Sequence, residues 1–403
     1  MTKTEVDIVV AGGGIAGMAA TASFAAAGLR TVCVDPAPAP DPGATDGTDL
    51  RSTAFLEPAV DVLAQAGVWD RLAPHGADLA VMRLADAGGT AQAIRECADF
   101  TAAELGRDRF GVNIVNWRIR EALHAHLADA ARAELRLSTR VTHVTPRLND
   151  TVLALSDGSQ IRARLAVAAD GRDSFLRQSA GISARRWDYG QKALVFGVAH
   201  DRPHEGVSTE IHRTGGPFTL VPLPDRDGTL HSAVVWMETG PNAAALAEAP
   251  VPDFEAALNA RSCDVLGPLR LVTDRALWPI ASQLAARFDG PRLALVAEAA
   301  HVMPPIGAQG LNTSLTDIRV LRDLVTGARD TGGDIGAADL LARYHRQRFP
   351  DVSARVLGID FLNRAAMAQA PMLRDLRRAG LQALSGFQPV KSTAMRLGLG
   401  AGA

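Results

Sequence analysis

Val6-Asp7-Ile8-Val9-Val10-Ala11-Gly12-Gly13-Gly14-Ile15-Ala16-Gly17 is the stretch whose reading decides the fold. A run of β-branched residues stops at Gly12, and Gly12-x-Gly14-x-x-Gly17 opens an Ala-rich helix, Met18 to Ala27, which Gly28 ends. The N-terminus of such a helix offers unpaired N–H groups and the positive end of a dipole, and glycines let a pyrophosphate approach the backbone. A second strand, Arg30 to Asp35, ends in an acid about 20 residues beyond the middle glycine, where a ribose hydroxyl needs an acceptor. Strand, turn, helix, glycine stop and acid in register predict a dinucleotide site built from Gly12, Gly14, Ala16, Gly17 and Asp35. The motif alone leaves FAD and NAD(P) both open.

A chain of 403 residues exceeds one ordinary core, so two domains, or one large domain with an insertion, are expected. With 47% apolar and 21% charged residues and a net charge of −2, the composition is that of a soluble globular protein with no global attraction for nucleic acid. Cys33, Cys97 and Cys263 lie far apart without zinc spacing and are expected to be buried small apolar side chains in a reducing compartment. No apolar run reaches the roughly 18 residues of a membrane span. The first strand begins at Val6, which leaves no room for a signal peptide, so the expected location is cytoplasmic.

Along the chain, Pro36 to Ala44 reads as a surface loop, and Arg51 stands at a loop-to-helix junction where it serves as a pyrophosphate clamp or a solvated charge. Gly88-Gly89-Thr90 reads as a hairpin turn within the short strands from Val81 to Phe110. A helix from Asn116 carries the stripe Ile119, Leu123, Leu127. Gln160 to Ala163 reads as the return strand of a hairpin and Leu165 to Ala169 as a separate buried strand ending at Asp170, whose carboxylate either enters the ligand crevice or belongs to a plain Asp-Gly turn. Four or five alternating strands between Trp187 and Ile280 suggest an inserted antiparallel sheet and a substrate platform. The motif 297–312, with its prolines and glycines before a helix near Asn312, predicts a fixed loop that stabilises negative charge. The end reads as two helices, Leu341 to Arg348 and Val352 to Met367, followed by a basic amphipathic tail. From Phe361 to the end Arg364, Arg374, Arg377, Arg378, Lys391 and Arg396 stand against one acid, Asp375, and this basic end rests either on an anionic membrane or on its own domain.

Gly12-x-Gly14-x-x-Gly17, Ala169-Asp170-Gly171-Arg172 and Ala297-Glu298-Ala299-Ala300-His301-x-x-Pro304-Pro305-x-Gly307-x-Gln309-Gly310-x-Asn312 stand in the order seen in class A flavoprotein aromatic monooxygenases related to para-hydroxybenzoate hydroxylase. Within that group the chain most resembles the ubiquinone-biosynthesis hydroxylases of the UbiH type, through Arg51 to Leu56, Gly216 to Leu223, Arg343 to Arg348 and Gly358 to Leu362. The resemblance implies an α/β fold: a Rossmann-like FAD-binding domain of the GR2 type, with an inserted, mostly antiparallel β-sheet substrate domain and C-terminal helices. The implied partition is an FAD-binding domain from 1–75, 113–183 and 285–345, a substrate domain from 76–112 and 184–284, and a helical region over 346–403.

The resemblance also implies FAD as cofactor and NAD(P)H as co-substrate. Asp35 would meet the adenosine ribose, Arg51 the pyrophosphate, and Asp170 the crevice shared with the nicotinamide donor. Glu298 would lie near the ribityl chain, Pro305 beside the flavin ring, Gly307, Gln309 and Gly310 in the loop before it, and Leu311-Asn312 at the pyrimidine edge. Two positions depart from the family pattern. Ala297-Glu298 replaces Gly-Asp, and Trp117 stands where an Arg is usual, so that Arg118 or Arg120 takes the phosphate contact. The chemistry implied is hydroxylation of a polyprenylated phenol or quinol in ubiquinone biosynthesis through a flavin hydroperoxide, without a catalytic side chain that we can name and without metal. His301, the one acid/base candidate in the loop, is read as a structural hydrogen-bonding residue. The implied surroundings are a small aromatic substrate, contact with the inner face of a membrane through the basic end, and a complex of biosynthetic proteins. The rivals are another flavoenzyme of this fold, hydroxylating another aromatic or reducing a prenyl chain, and a non-catalytic flavin-binding scaffold. A halogenase is disfavoured because none of the 5 tryptophans stands two from another.

Overall fold

An unbroken apolar run can cross a sheet only where both faces are covered, and Ile8 to Ala11, the buried second half of the first strand, Lys3–Ala11, is of this kind. The computed structural model describes residues 3–39, 50–87, 93–213, 215–367, 391 and 395. Lys3–Ala11 lies in the middle of an eight-stranded sheet whose main path is Asp289–Gly290, Leu293–Leu295, Gln160–Ala168, Lys3–Ala11, Thr31–Val34, Ala133–Arg136. The four pairings from Leu293–Leu295 to Ala133–Arg136 are parallel. Ala11 is level with both Ala168 and Val34. The residues that follow these strands therefore emerge at one edge, where open α/β sheets bind ligands. The helices Ile15–Ala26, Asn116–Asp129 and Gln309–Asp330 contribute to the core of this unit through Met18, Phe24, Ile119, Leu123, Leu315 and Leu321.

A second sheet of nine strands has the path His301–Val302, Ala276–Ala285, Ala184–His200, Leu230–Thr239, Pro217–Pro222, Val207–His212, Val81–Asp86, Glu96–Thr101. Its two faces differ. Leu194, Phe196, Ile211, Phe218, Leu220, Val234 and Trp236 bury against Phe254 and Leu258 of the helix Val251–Ser262. The alternate residues turn the other way: Ala193 and Met237 enter the core of the first unit, with Val195 and Val235 packed partly exposed against it. A small sheet of Ser52–Leu56, Gly111–Val115 and Gly76–Leu79 completes the strands.

Several local expectations are corrected. Gln160 to Ala168 is one strand; its first half pairs antiparallel with Thr151–Leu155 and its second half parallel with Leu293–Leu295, so Arg164 marks a change of partner rather than a break. The second sheet is mostly antiparallel, as expected, with one parallel pairing, Val207–His212 on Val81–Asp86. Arg51 precedes a strand, not a helix. The two terminal helices are one, Ala338–Met367, with Pro350 inside it. Pro350 and Arg346, whose carbonyl loses its partner, are both exposed, while Tyr344, Arg348, Val352 and Val356 pack on the opposite side. That packing offsets the roughly 3 kcal/mol that an interior proline costs. Of the cysteines only Cys33 is buried; Cys97 is exposed. The expected turn at Gly88-Gly89-Thr90, most of the loop Pro36 to Ala44, and Arg374, Asp375, Arg377, Arg378 and Arg396 lie outside the described residues. No helix among the described residues is long and apolar enough to cross a membrane.

Candidate functional site

The glycines of the first turn do different work. A Cβ on Gly12, whose φ is +106°, would lie 2.2 Å from the Ala169 carbonyl oxygen, and one on Gly17 would lie 1.8 Å from that of Gly12. These two let the turn close against the Gln160–Ala168 strand and the helix pack onto the turn. A Cβ on Gly14 would meet nothing within 4 Å. Gly14 is also the cap residue of the Ile15–Ala26 helix, which has no side-chain cap and no acid in its first turn. The space over Gly14 and Ala16 is thus left to an anion from outside. Asp35 reaches this turn: its carboxylate accepts from the Gly13 N–H, and from Ala37 N–H at 2.7 Å.

Ala169, which lies against the Gly12 turn, carries the chain from the Gln160–Ala168 strand into Asp170. The Asp170 carboxylate accepts from Ser174 Oγ at 2.5 Å and from the Leu176 N–H at 3.1 Å, so it helps to cap the short helix Phe175–Ser179. Burial pushes its carboxyl up, against the opposing effect of those hydrogen bonds. Two residues that no motif marked hold this segment to the next one. Arg177, buried, donates to the carbonyls of Arg172 and Ala299 at 2.9 and 3.0 Å, and Gln283 Nε2 donates to Arg172 O at 2.9 Å. Glu298 stands 3.5 Å from Arg172 with about half its side chain exposed, an ion pair of little energetic weight.

The loop from His301 to Asn312 alternates between buried and open residues. Met303, Pro304, Ile306, Gln309 and Asn312 are buried, whereas Pro305 and Gly310 are exposed and Gly307 and Leu311 partly so. Gly307 and Ala308 are both left-handed, with φ of 61° and 56°. They turn the chain into Gln309–Asp330, a second helix that no side chain caps and whose first turn holds no acid. The Asn312 side chain fixes its start: Oδ1 accepts from Leu56 N–H at 2.8 Å, and Nδ2 donates to the carbonyls of Ala54 and Ala308 at 2.8 and 2.6 Å.

Behind the loop runs a relay that sequence spacing gave no means of finding. His301 Nε2 lies 2.6 Å from Asp317 Oδ2, and Arg348 Nε donates to Asp317 Oδ1 at 2.7 Å. Arg348 and Arg355 both donate to Asp351, at 2.7 and 3.0 Å, and Arg355 donates to Gln309 Oε1 at 2.8 Å. The relay leaves the loop at His301 and returns to it at Gln309. Burial alone would raise the Asp317 carboxyl, but Arg348 and His301 hold it below its usual range. His301 is thus spent on a fully buried carboxylate, in keeping with a structural hydrogen bond.

The strand Ser52–Leu56 links this loop to the remaining candidates. Arg51 O accepts from Asn116 N–H at 2.7 Å, Thr53 Oγ1 donates to Asn116 Oδ1 at 2.7 Å, and the Arg51 guanidinium lies 5.5 Å from the Trp278 ring centroid on the second sheet. Arg118 lies 3.9 Å over the Trp117 ring and pairs with Glu121 at 2.8 Å, while Arg120 is exposed. Being two apart on a helix, Arg118 and Arg120 cannot face the crevice together. Trp117 packs with Leu50, Val115, Leu223 and Ala233, and its Nε1–H is buried without a partner. An uncapped pair of helix N-termini, an open cradle over Gly14 and an unpaired buried donor make a site that fits a long dinucleotide.

The profile of the FAD binding domain family matches residues 5–357. The chain is 33% identical over 396 residues to ubiquinone hydroxylase UbiL of Rhodospirillum rubrum, a match covering 98% of this chain and 89% of that protein. It is 27% identical over 401 residues to 3-demethoxyubiquinol 3-hydroxylase of Escherichia coli, covering 99% of this chain and all of that one. Among solved structures, p-nitrophenol 4-monooxygenase PnpA from Pseudomonas putida shares the fold with a TM-score of 0.79 at 18% identity, over 98% of this chain and 97% of the other.

Proposed function

The chain belongs to the FAD binding domain family, and on that premise we propose that it is an FAD-dependent monooxygenase that uses NAD(P)H and O₂ to hydroxylate the ring of a polyprenylated phenol or quinol in ubiquinone biosynthesis. The observation that carries this reading is the glycine turn that opens Ile15–Ala26, a helix that no side chain caps, together with Gln309–Asp330, a second uncapped helix packed against it. The full-length relationship to ubiquinone hydroxylases supports the substrate class.

FAD, once reduced by NAD(P)H, supplies the oxygen activation. The chain's own residues do the rest. Gly12, Gly14, Ala16 and Gly17 receive the pyrophosphate, Asp35 the adenosine ribose, and Arg51 with Arg118 or Arg120 the phosphate charge. Asp170 and Glu298 border the middle of the crevice. Gly307, Gln309, Gly310, Leu311 and Asn312 present backbone N–H groups, with the Pro305 ring beside them, from a loop that the relay behind it holds in place, aimed where negative charge develops. On the substrate side, Val195, Val221 and Val235 offer a partly exposed apolar floor that suits an aromatic ring with a prenyl tail. In this reading the domain partition follows the two sheets.

A peripheral membrane contact is part of the proposal. Arg364 pairs with Asp360, and Lys391 pairs with Glu104 at 2.7 Å, which removes that lysine from the free basic end. The same helix nonetheless exposes Leu357, Phe361 and Leu362 at 62%, 72% and 51%. Co-sedimentation with anionic vesicles should fall for Phe361→Ser; equal binding of both proteins would end this part of the proposal. Membership of a complex of biosynthetic proteins is proposed on the same footing. The enzymatic proposal is tested by two measurements together: substrate-stimulated NAD(P)H oxidation by the FAD-loaded protein, and the quinone intermediates of a strain lacking it. No stimulation by any phenol and an unchanged quinone profile would reject it.

A further inference from the structure

We propose that Glu210 and His212 form a proton-accepting pair for the substrate's phenolic hydroxyl; this rests on the aromatic-hydroxylase reading above. Strand register places them. Glu210 is level with Thr219, Thr219 with Val235, and Val235 with Val195, so the four make one row across the second sheet, and His212 lies two residues along on the same face. The residues between, Ile211, Phe218, Trp236 and Leu194, point the other way and are sealed under the helices. The row therefore faces the FAD-binding unit, and Thr219, Val235 and Val195 in it are only partly buried.

A carboxylate within such an apolar row is costly unless it is paired. Glu210 is 7% exposed, and its Oε1 lies 2.7 Å from His212 Nε2. With the ring proton directed at that carboxylate, the imidazole carries a bare lone pair on Nδ1, and Nδ1 is buried with no hydrogen-bond partner. Packing has no use for an unpaired acceptor, whereas a phenol supplies the missing donor. The neighbouring charges are Asp86, level with His212 and paired with Arg95 at 2.6 Å, and Glu96, level with Asp86.

The step balances simply. The phenolic O–H bond breaks, its proton bonds to Nδ1, and Glu210 holds the imidazolium that results. The electron pair left on oxygen enriches the ring carbons ortho and para to it before oxygen transfer, and the proton returns to that oxygen in the product. No electrons are exchanged with the pair.

The test uses 4-nitrophenol, whose ionisation is visible in its own absorbance, titrated with pH on the FAD-loaded wild type, His212→Gln and the isosteric Glu210→Gln. Bound to the wild type, the probe should ionise roughly 1 pH unit or more below its value in water, and His212→Gln should abolish that shift. Glu210→Gln should reduce it, and hydroxylation of an accepted phenol should fall about 100-fold in His212→Gln. The same ionisation pH in all three proteins, or no binding of the probe to the wild type, overturns the pair. If the wild type hydroxylates phenols while the shift is absent, the pair fails and the hydroxylase reading stands. If the shift is present without O₂-dependent hydroxylation of any phenol, the hydroxylase reading fails and the pair stands as a phenolate-binding site.

Discussion

At the scale of single residues, the glycine turn separates fold from function. Gly12→Ala places a Cβ 2.2 Å from the Ala169 oxygen at a φ of +106°, so it should cost more than about 3 kcal/mol in denaturant unfolding. Gly14→Ala meets no atom within 4 Å and should change stability by less than about 1 kcal/mol. It should nevertheless weaken FAD binding at least about tenfold in a fluorescence titration, because the methyl fills the space left for the pyrophosphate. Equal behaviour of the two variants would contradict this division. The Gly12–Gly17 turn and Asp35 were legible because their roles are local: periodicity, a turn and an acid within 35 residues. Trp117 was legible only as a departure; its orphaned N–H depends on packing against Leu223 and Ala233, more than 100 residues away.

At the scale of elements, the Ala338–Met367 helix acts as a brace. Removing one partner of the Asp317–Arg348 pair leaves a buried charge, so Asp317→Asn should cost about 3–5 kcal/mol at neutral pH. The sign with pH follows from the lowered carboxyl of Asp317. Its contribution is present above the unfolded carboxylate value and is lost as pH falls through the lower native value. Wild-type stability should therefore decline on the acid side more steeply than that of Asp317→Asn, as measured by urea midpoints from pH 7 down to 3. Arg355→Met cuts the relay at its loop end, at the Gln309 contact. It should lower FAD affinity several-fold in a titration while the unfolding midpoint moves little; unchanged affinity would show that the relay does not govern the loop. None of this could be read from spacing, since His301, Asp317, Arg348 and Arg355 meet only once two helices pack. Pro350 misled for the same reason: a local rule breaks the helix there, and tertiary burial of its opposite face restores it.

For the whole molecule, the two large sheets are joined through Ala193 and Met237, with Val195 and Val235 packed beside them. The parallel sheet was legible from runs such as Ile8–Ala11 and Leu165–Ala168, and the second sheet from its alternation, but its one parallel pairing was not, because Val81–Asp86 and Val207–His212 pair across more than 100 residues. Which face of that sheet meets the FAD-binding unit emerges only from register, and that choice brings Glu210 and His212 into the account. The most direct test of the central claim is to run the FAD-loaded enzyme with NAD(P)H and a prenylated phenol under ¹⁸O₂. The expected result is one ¹⁸O atom in the new ring hydroxyl of each product molecule. Hydroxyl oxygen drawn from water instead, or reduced flavin that consumes O₂ without oxygenating any phenol, would contradict it.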